Sequence, residues 1–453
     1  MVLSNGLAAL IIVFVVIAGA IITRRCTEFL FLGSVLGAFV LYGSSLPFGY
    51  VEILEAVVGD PDNVWLWLVC GLFGSLVYLL RESKGTYGFQ KILEKVCTTD
   101  IRTTVASFVL GVAVFIDDYL NIMTVGVCMK DMYDKRKIPR ESLAFMLDST
   151  GAPVCVLIPF STWAVFYANL FFSEKPVAAA FDTAFHSYIS TLPFLFYPII
   201  ALAIVFFFVI GLFPKLGPMK KAYERTARTG KTYSEDSAKY NKEEIAISEN
   251  GKIIDFLLPI LTLAFLAIYT GEMLIGILAS IVVCLLLYIP RRLMTMERFL
   301  DSMIEGFASM LSIFFMLVGA FSLAHVCGHL GLTEYLIELA KPLISAKLLP
   351  ALSFLLLAVL AFVTGSNWGM SAVVIPILIP MCAALGSNLI LTMAAIVSGG
   401  TFGSHACFYT DATVLSSKSA GIENMEHALS QYPYVFIAAA LTFVLYAVFG
   451  FIL

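Results

Sequence analysis

Residues 102–140 read RTTVASFVLGVAVFIDDYLNIMTVGVCMKDMYDKRKIPR, and the way this stretch meets a membrane decides the fold. Within it, 103–129 is apolar apart from one polar cluster, Phe115-Ile116-Asp117-Asp118-Tyr119-Leu120-Asn121. Arg81, Lys84, Lys91, Lys95 and Arg102 precede it, and Lys130, Lys135, Arg136, Lys137 and Arg140 follow it. Short loops rich in Lys and Arg stay in the cytoplasm, so both flanks belong on that side. A single crossing breaks this rule. A re-entrant helical hairpin obeys it and puts its tip at the polar cluster, where non-helical backbone survives only if protein or a wet cavity covers it.

The rest of the chain supports a lipid solvent. Of 453 residues, 60% are hydrophobic and 13% charged, against roughly 45–50% and about 25% in soluble domains. So little polar surface excludes a cytosolic enzyme, a secreted disulfide domain and a nucleic-acid binder. The nine cysteines form no CxxC pair and no zinc spacing, and read as small buried hydrophobes. A spanning helix needs about 20 apolar residues. Candidate spans are 7–23, 28–43, 64–80, 142–170, 186–213, 253–270, 273–290, 303–326, 388–412 and 432–453. The first has no basic n-region and reads as a span, not a cleaved signal.

Arg24 and Arg25 put the first loop inside and the N-terminus outside; Glu52, Glu55, Asp60 and Asp62 suit the next loop's outside position. The hydrophilic segment 214–252 reads as a cytoplasmic link between halves. Beyond it, Arg291, Arg292 and Arg298 are inside, which sends 328–347 outside. The apolar segment 348–386, with its polar break Thr364-Gly365-Ser366-Asn367-Trp368-Gly369, then becomes a hairpin entering from the outside. Each half, 1–213 and 253–453, thus has three crossings, a hairpin, an interrupted crossing and a final crossing, in opposite orientations. Both termini fall outside. The expected fold is an all-α polytopic membrane protein with two inverted-topology repeats, the architecture of secondary transporters with a midplane site.

An ionisable side chain at mid-membrane costs roughly 2.5–3.5 kcal/mol. Asp117, Asp118, Asp148 and Asp411 all lie in apolar surroundings and so mark the candidate site. Asp148 opens Asp148-Ser149-Thr150-Gly151-Ala152-Pro153, where Gly and Pro weaken the helix and free backbone groups. Ser398-Gly399-Gly400-Thr401-Phe402-Gly403-Ser404-His405 is the expected matching break, followed by Asp411-Ala412-Thr413. Hard cations take oxygen ligands, and a desolvated carboxylate also takes a proton. A carboxylate binding either Na⁺ or H⁺ provides exchange by itself. Simpler readings stand beside these. Asp117 or Asp118 caps a half-helix, Ser366 and Asn367 satisfy backbone at a turn, and His405 is a hydrogen-bonded cavity histidine able to relay protons.

These motifs resemble the NhaC-type Na⁺/H⁺ antiporter family over most of the chain outside 214–252. The similarity is most specific at 115–126, at Leu147–Leu157, and at 400–417. The resemblance implies a first half-site of Asp117, Asp118, Asn121, Asp148, Ser149 and Thr150, with Asp118 and Asp148 as Na⁺ ligands. It implies a second half-site of Ser366, Asn367, His405, Asp411 and Thr413, to which the break adds Ser398. It further implies a transporter, not an enzyme, in the bacterial cytoplasmic (inner) membrane, with Na⁺ and H⁺ as cargo, no cofactor, and a homodimer in lipid. The family pattern has an acidic residue before the histidine where this chain has Ser404. That departure favours the alternative of a Na⁺- or H⁺-coupled carrier of a small amino or carboxylic acid.

Overall fold

The computed structural model describes residues 2–453 except 24, 86–92, 94, 242–251, 271, 333–334, 336–337, 339–344, 366 and 409. Helices and turns account for the described residues, with no strand among them. Six of the described helices are long and apolar enough to cross a membrane, or up to eight if two bent pairs each count as one span. An all-helical plan follows from the solvent, because lipid offers no partner for a backbone amide and a helix pairs its own.

Burial separates two kinds of helix. The outer ones, such as Cys26–Tyr42, Met273–Tyr288 and Leu311–His329, leave Phe39, Leu286 and Phe315 exposed on the protein surface. The inner ones hide almost every side chain: residues 138–156 and 391–407 are buried without interruption. The inner stretches contain Asp148, His405 and the Gly399-Gly400 pair, so the core is more polar than the rim. That inversion of the soluble-protein pattern is what a lipid exterior demands.

Over the stretch expected to form the first hairpin lie two helices, Asp100–Ala113 and Asp118–Lys135, separated by four residues. Asp117 caps the second helix, its carboxylate accepting from Leu120 N at 3.0 Å. The tip carbonyls are satisfied from neighbouring segments: Thr162 N donates to Ile116 O and Cys155 Sγ to Phe115 O. Asn121 Nδ2 lies 2.9 Å from Val114 O and 3.0 Å from Thr150 O, tying the tip to the span that follows.

That span, expected to break at 148–153, is interrupted only briefly at Gly151, between Arg140–Thr150 and Ala152–Leu157. The larger turn, 43°, comes before Thr162–Phe172. Pro159 biases Ile158 away from the helical region, and Ser161 restarts the helix by accepting from Ala164 N at 3.1 Å. The crossing expected at 186–213 is also bent, by 52° between Ala184–Phe194 and Phe196–Val209. A further helix, Leu46–Val58, occupies what read as a loop.

In the second half, Leu349–Thr364 and Asn367–Leu385 flank the polar break, and Gly365 ends the first of them in the left-handed conformation, φ 66°. The break expected at Ser398–His405 lies elsewhere. Leu389–Ala406 is one continuous helix, and the interruption comes after it, before Asp411–Ala420. The glycines serve close packing. A Cβ on Gly399 would lie 2.7 Å from Phe354 O, and one on Gly403 2.2 Å from Ala361 Cβ. Small residues let membrane helices approach in this way.

The hydrophilic segment is docked through residue 241. Its helix Gly217–Thr229 presents Arg225, which bonds Glu141 at 2.6 and 3.0 Å and Glu426 at 3.3 Å. Asn241 donates to Gly421 O and pairs with Arg140, which also pairs with Asp134. These contacts clamp the start of the interrupted span at 140 to the start of the last helix, Asn424–Ile452.

Candidate functional site: a buried carboxylate and a hairpin tip

Asp148 is 1% exposed. One oxygen, Oδ2, accepts three hydrogen bonds: from Thr413 Oγ1 at 3.0 Å, His427 Nε2 at 3.0 Å and Gln431 Nε2 at 2.9 Å. Hydrogen bonds to a charged group contribute about 1.5–3 kcal/mol each, so three together offset the mid-membrane cost of roughly 2.5–3.5 kcal/mol. The other oxygen, Oδ1, has no hydrogen-bond partner, and neither does the amide oxygen of Gln431. The site therefore holds its carboxylate by one oxygen and leaves the second uncommitted.

A second chain of bonds starts at the neighbouring residue. Ser149 Oγ lies 2.9 Å from His405 Nε2, and His405 Nδ1 lies 2.9 Å from Tyr197 Oη. Gln431 also donates to His405 O at 2.8 Å, so one amide joins the Asp148 and His405 groups. Both imidazole nitrogens of His405 are engaged by hydroxyls. Thr413 itself accepts from Thr410 Oγ1 at 3.1 Å, and Thr410 caps the helix on which Thr413 sits.

At the hairpin tip, Asp117 and Asp118 are each 4% exposed. Asp117 acts as the cap and also accepts from Thr162 Oγ1 at 3.3 Å. Together with Trp368, Thr162 and Val165, both carboxylates line a small cavity of about 30 Å³. Tyr119 donates to Asp411 at 3.3 Å. Asp411 is exposed in the first turn of its helix, so the burial expected of it is not found; its link is to the tip and not to Asp148.

The remaining expected residues divide as follows. Asn367 starts its helix with Oδ1 accepting from Tyr167 Oη at 3.0 Å, while Ser371 lies 3.0 Å from the same hydroxyl. Thr150 Oγ1 bonds back to Met146 O. Ser398 Oγ lies 2.7 Å from Tyr446 Oη, packing the inner helix against the last one. Asn121 binds backbone carbonyls. Ser366 lies outside the described residues.

Sequence reading missed His427 and Gln431. They stand one turn apart just before the last apolar run, so they share a helix face, and both are fully buried. That pairing of polar residues at the start of a span was the available signal. Tyr167 and Tyr197 gave none, because a buried tyrosine in an aromatic-rich span reads as packing.

The family model described as the Na⁺/H⁺ antiporter family matches residues 172–451. The chain belongs to the Na⁺/H⁺ antiporter family. As a family member it is a multi-pass membrane transporter and not an enzyme. It is 26% identical over 487 residues to an uncharacterized protein of Haemophilus influenzae, covering 99% of this chain and 92% of that one. Its fold is similar to the Alcanivorax borkumensis YdaH transporter, with TM-score 0.62, 13% identity and 90% of each chain covered. It is also similar to Neisseria gonorrhoeae MtrF, described with a class of antimetabolite efflux pumps, with TM-score 0.50, 12% identity, and 90% and 85% covered. At these identities the likeness concerns fold alone.

Proposed function

We propose that the chain exchanges Na⁺ for H⁺ across the bacterial cytoplasmic membrane by alternating access. The single observation that carries this reading is Asp148. It is a buried carboxylate with one oxygen held by three donors, one of them the Gln431 amide, and the other oxygen uncommitted. Oxygen ligands of this kind suit a hard cation, and the same carboxylate takes a proton when the cation leaves. Competition for one group makes exchange obligatory. In this reading Asp118 is a second ion-binding carboxylate at the hairpin tip, and Ser149, His405 and Tyr197 form a relay that carries protons. The two halves act as inverted repeats, with both termini outside.

A second reading, coupled transport of a small amino or carboxylic acid, is favoured by the surroundings of His405. Its ring is bonded to Ser149 and Tyr197, with Ser404 preceding it in sequence, so no carboxylate is bonded to this imidazole.

The test is proton movement in proteoliposomes holding an imposed pH gradient, on addition of Na⁺, Li⁺ or K⁺. Collapse of the gradient by Na⁺ or Li⁺ in the native chain, and its absence in Asp148→Asn, is the expected result. If no cation moves protons, exchange is wrong for this chain. Uptake of labelled amino and carboxylic acids with Na⁺ present then tests the second reading.

A further inference from the structure

A separate cavity of about 280 Å³ lies away from Asp148, between the helix Pro61–Glu82, the helices Thr162–Phe172 and Ala184–Thr191, and Glu272. Its volume is at the lower end of small-molecule sites. Two features of its wall select the charge of an occupant. Asp182 and Glu272 line it, and no Lys, Arg or His does among the described residues. Several of its hydrogen-bond donors are also engaged within the protein. Trp65 Nε1 donates to Glu272 Oε1 at 3.0 Å, Tyr188 Oη to Val156 O at 2.6 Å and Ser173 Oγ to Leu170 O at 2.8 Å. One N–H of the Asn63 amide and one of the Asn169 amide donate to Val57 O and Val165 O.

What remains facing the cavity is two carboxylates with no cationic side chain to pair them among the described residues. An anion or a zwitterion's carboxylate finds little there. A cation finds two carboxylates, one of them held in place by the Trp65 indole and by Leu274 N, which donates to it at 3.2 Å. The rest of the wall is aromatic, with Trp65, Phe172, Phe185 and Phe321. Aromatic faces attract organic cations by their quadrupole and cover an apolar body, whereas a small hydrated metal ion gains nothing from them.

We propose that this cavity binds a small organic ammonium ion, with Glu272 and Asp182 receiving the charge and Trp65, Phe172, Phe185 and Phe321 enclosing the apolar part. Val165 lines both this cavity and the smaller one at Asp117 and Asp118, so an occupant rests one side chain away from the hairpin tip. The site is independent of the exchange reading: binding is measured without transport, and failure of either leaves the other standing.

The experiment is equilibrium binding of labelled 2-phenylethylammonium to the purified full chain in detergent, with two competitors and two variants. Unlabelled amine should displace the label. The neutral isostere 2-phenylethanol should compete at least about tenfold less well, as expected when a charge-assisted hydrogen bond is lost. Glu272→Gln should weaken binding by about the same factor, and Asp182→Asn by less, since Asp182 is exposed. Equal competition by 2-phenylethanol makes the cavity an apolar crevice and overturns the proposal, as does native-like binding in both variants. Should Glu272→Gln fail to fold, the isostere comparison in the native chain and Asp182→Asn decide the matter.

Discussion

Asp148 lies inside a helix and takes its donors from two other helices, whereas Asp117 sits at a helix start and takes one of its donors from three residues ahead in the same helix. Both are buried carboxylates in apolar sequence, and insertion cost alone does not distinguish them. Their partners do. A cap is local: the backbone amide it satisfies exists as soon as the helix forms, so Asp117 has a sufficient structural role. Asp148 has no such local reason. Three side chains from distant segments converge on one of its oxygens, and the other is left uncommitted. Asp118 stands between these cases, beside the cap and facing the small cavity, without a capping role of its own.

This contrast can be broken by substitution. The largest effect is expected from Asp148→Asn, which keeps size and removes charge: transport should fall to background while the purified protein stays folded by circular dichroism. Full activity in this variant would collapse the distinction between the two regions. Asp118→Asn should also abolish exchange in the proteoliposome assay. Activity retained there would leave the tip as structure only and move the whole burden to Asp148.

Smaller effects sharpen the comparison. His427→Ala removes a donor to the Asp148 carboxylate, and a lost bond of about 1.5–3 kcal/mol corresponds to roughly tenfold or more in rate. His427→Gln retains a donor without an imidazole and should recover most of the rate with an altered pH profile. Equal loss in both variants would argue against a donor role. The smallest effect belongs to Asp117→Ala, expected to lower stability by about 1 kcal/mol through loss of the cap, with Asp117→Asn near native because Asn also caps. A thermal unfolding series measures this; the idea fails if Asn destabilises as much as Ala.

The same local-versus-distant division explains how far the sequence could be read. The break within 103–129 was legible because basic flanks and one polar cluster are properties of the chain itself, and two helices with a break between them lie where expected. The polar break at 364–369 was legible for the same reason. The position of the second interruption was not. Three glycines in Ser398–His405 look like a weak point along one strand of text. They prove to be contact surfaces against Phe354, Ala361 and Asn367, which belong to two other helices. A glycine that frees the backbone and a glycine that admits a neighbour are identical in sequence.

Composition and charge placement determined a membrane solvent, helices for the apolar runs of about 20 residues, and the carboxylates worth attention, because each follows from transfer costs paid residue by residue. Tertiary structure decided which carboxylate is held and by what. His427 and Gln431 lie about 280 positions from Asp148, and no periodicity or spacing connects such distant residues. It also decided that Asp411 is exposed and joined to Tyr119, and that residues 217–241 are clamped to the helix starts. These arrangements depend on which helices touch, and helix contact in lipid is set by shape and by polar pairing across the interface.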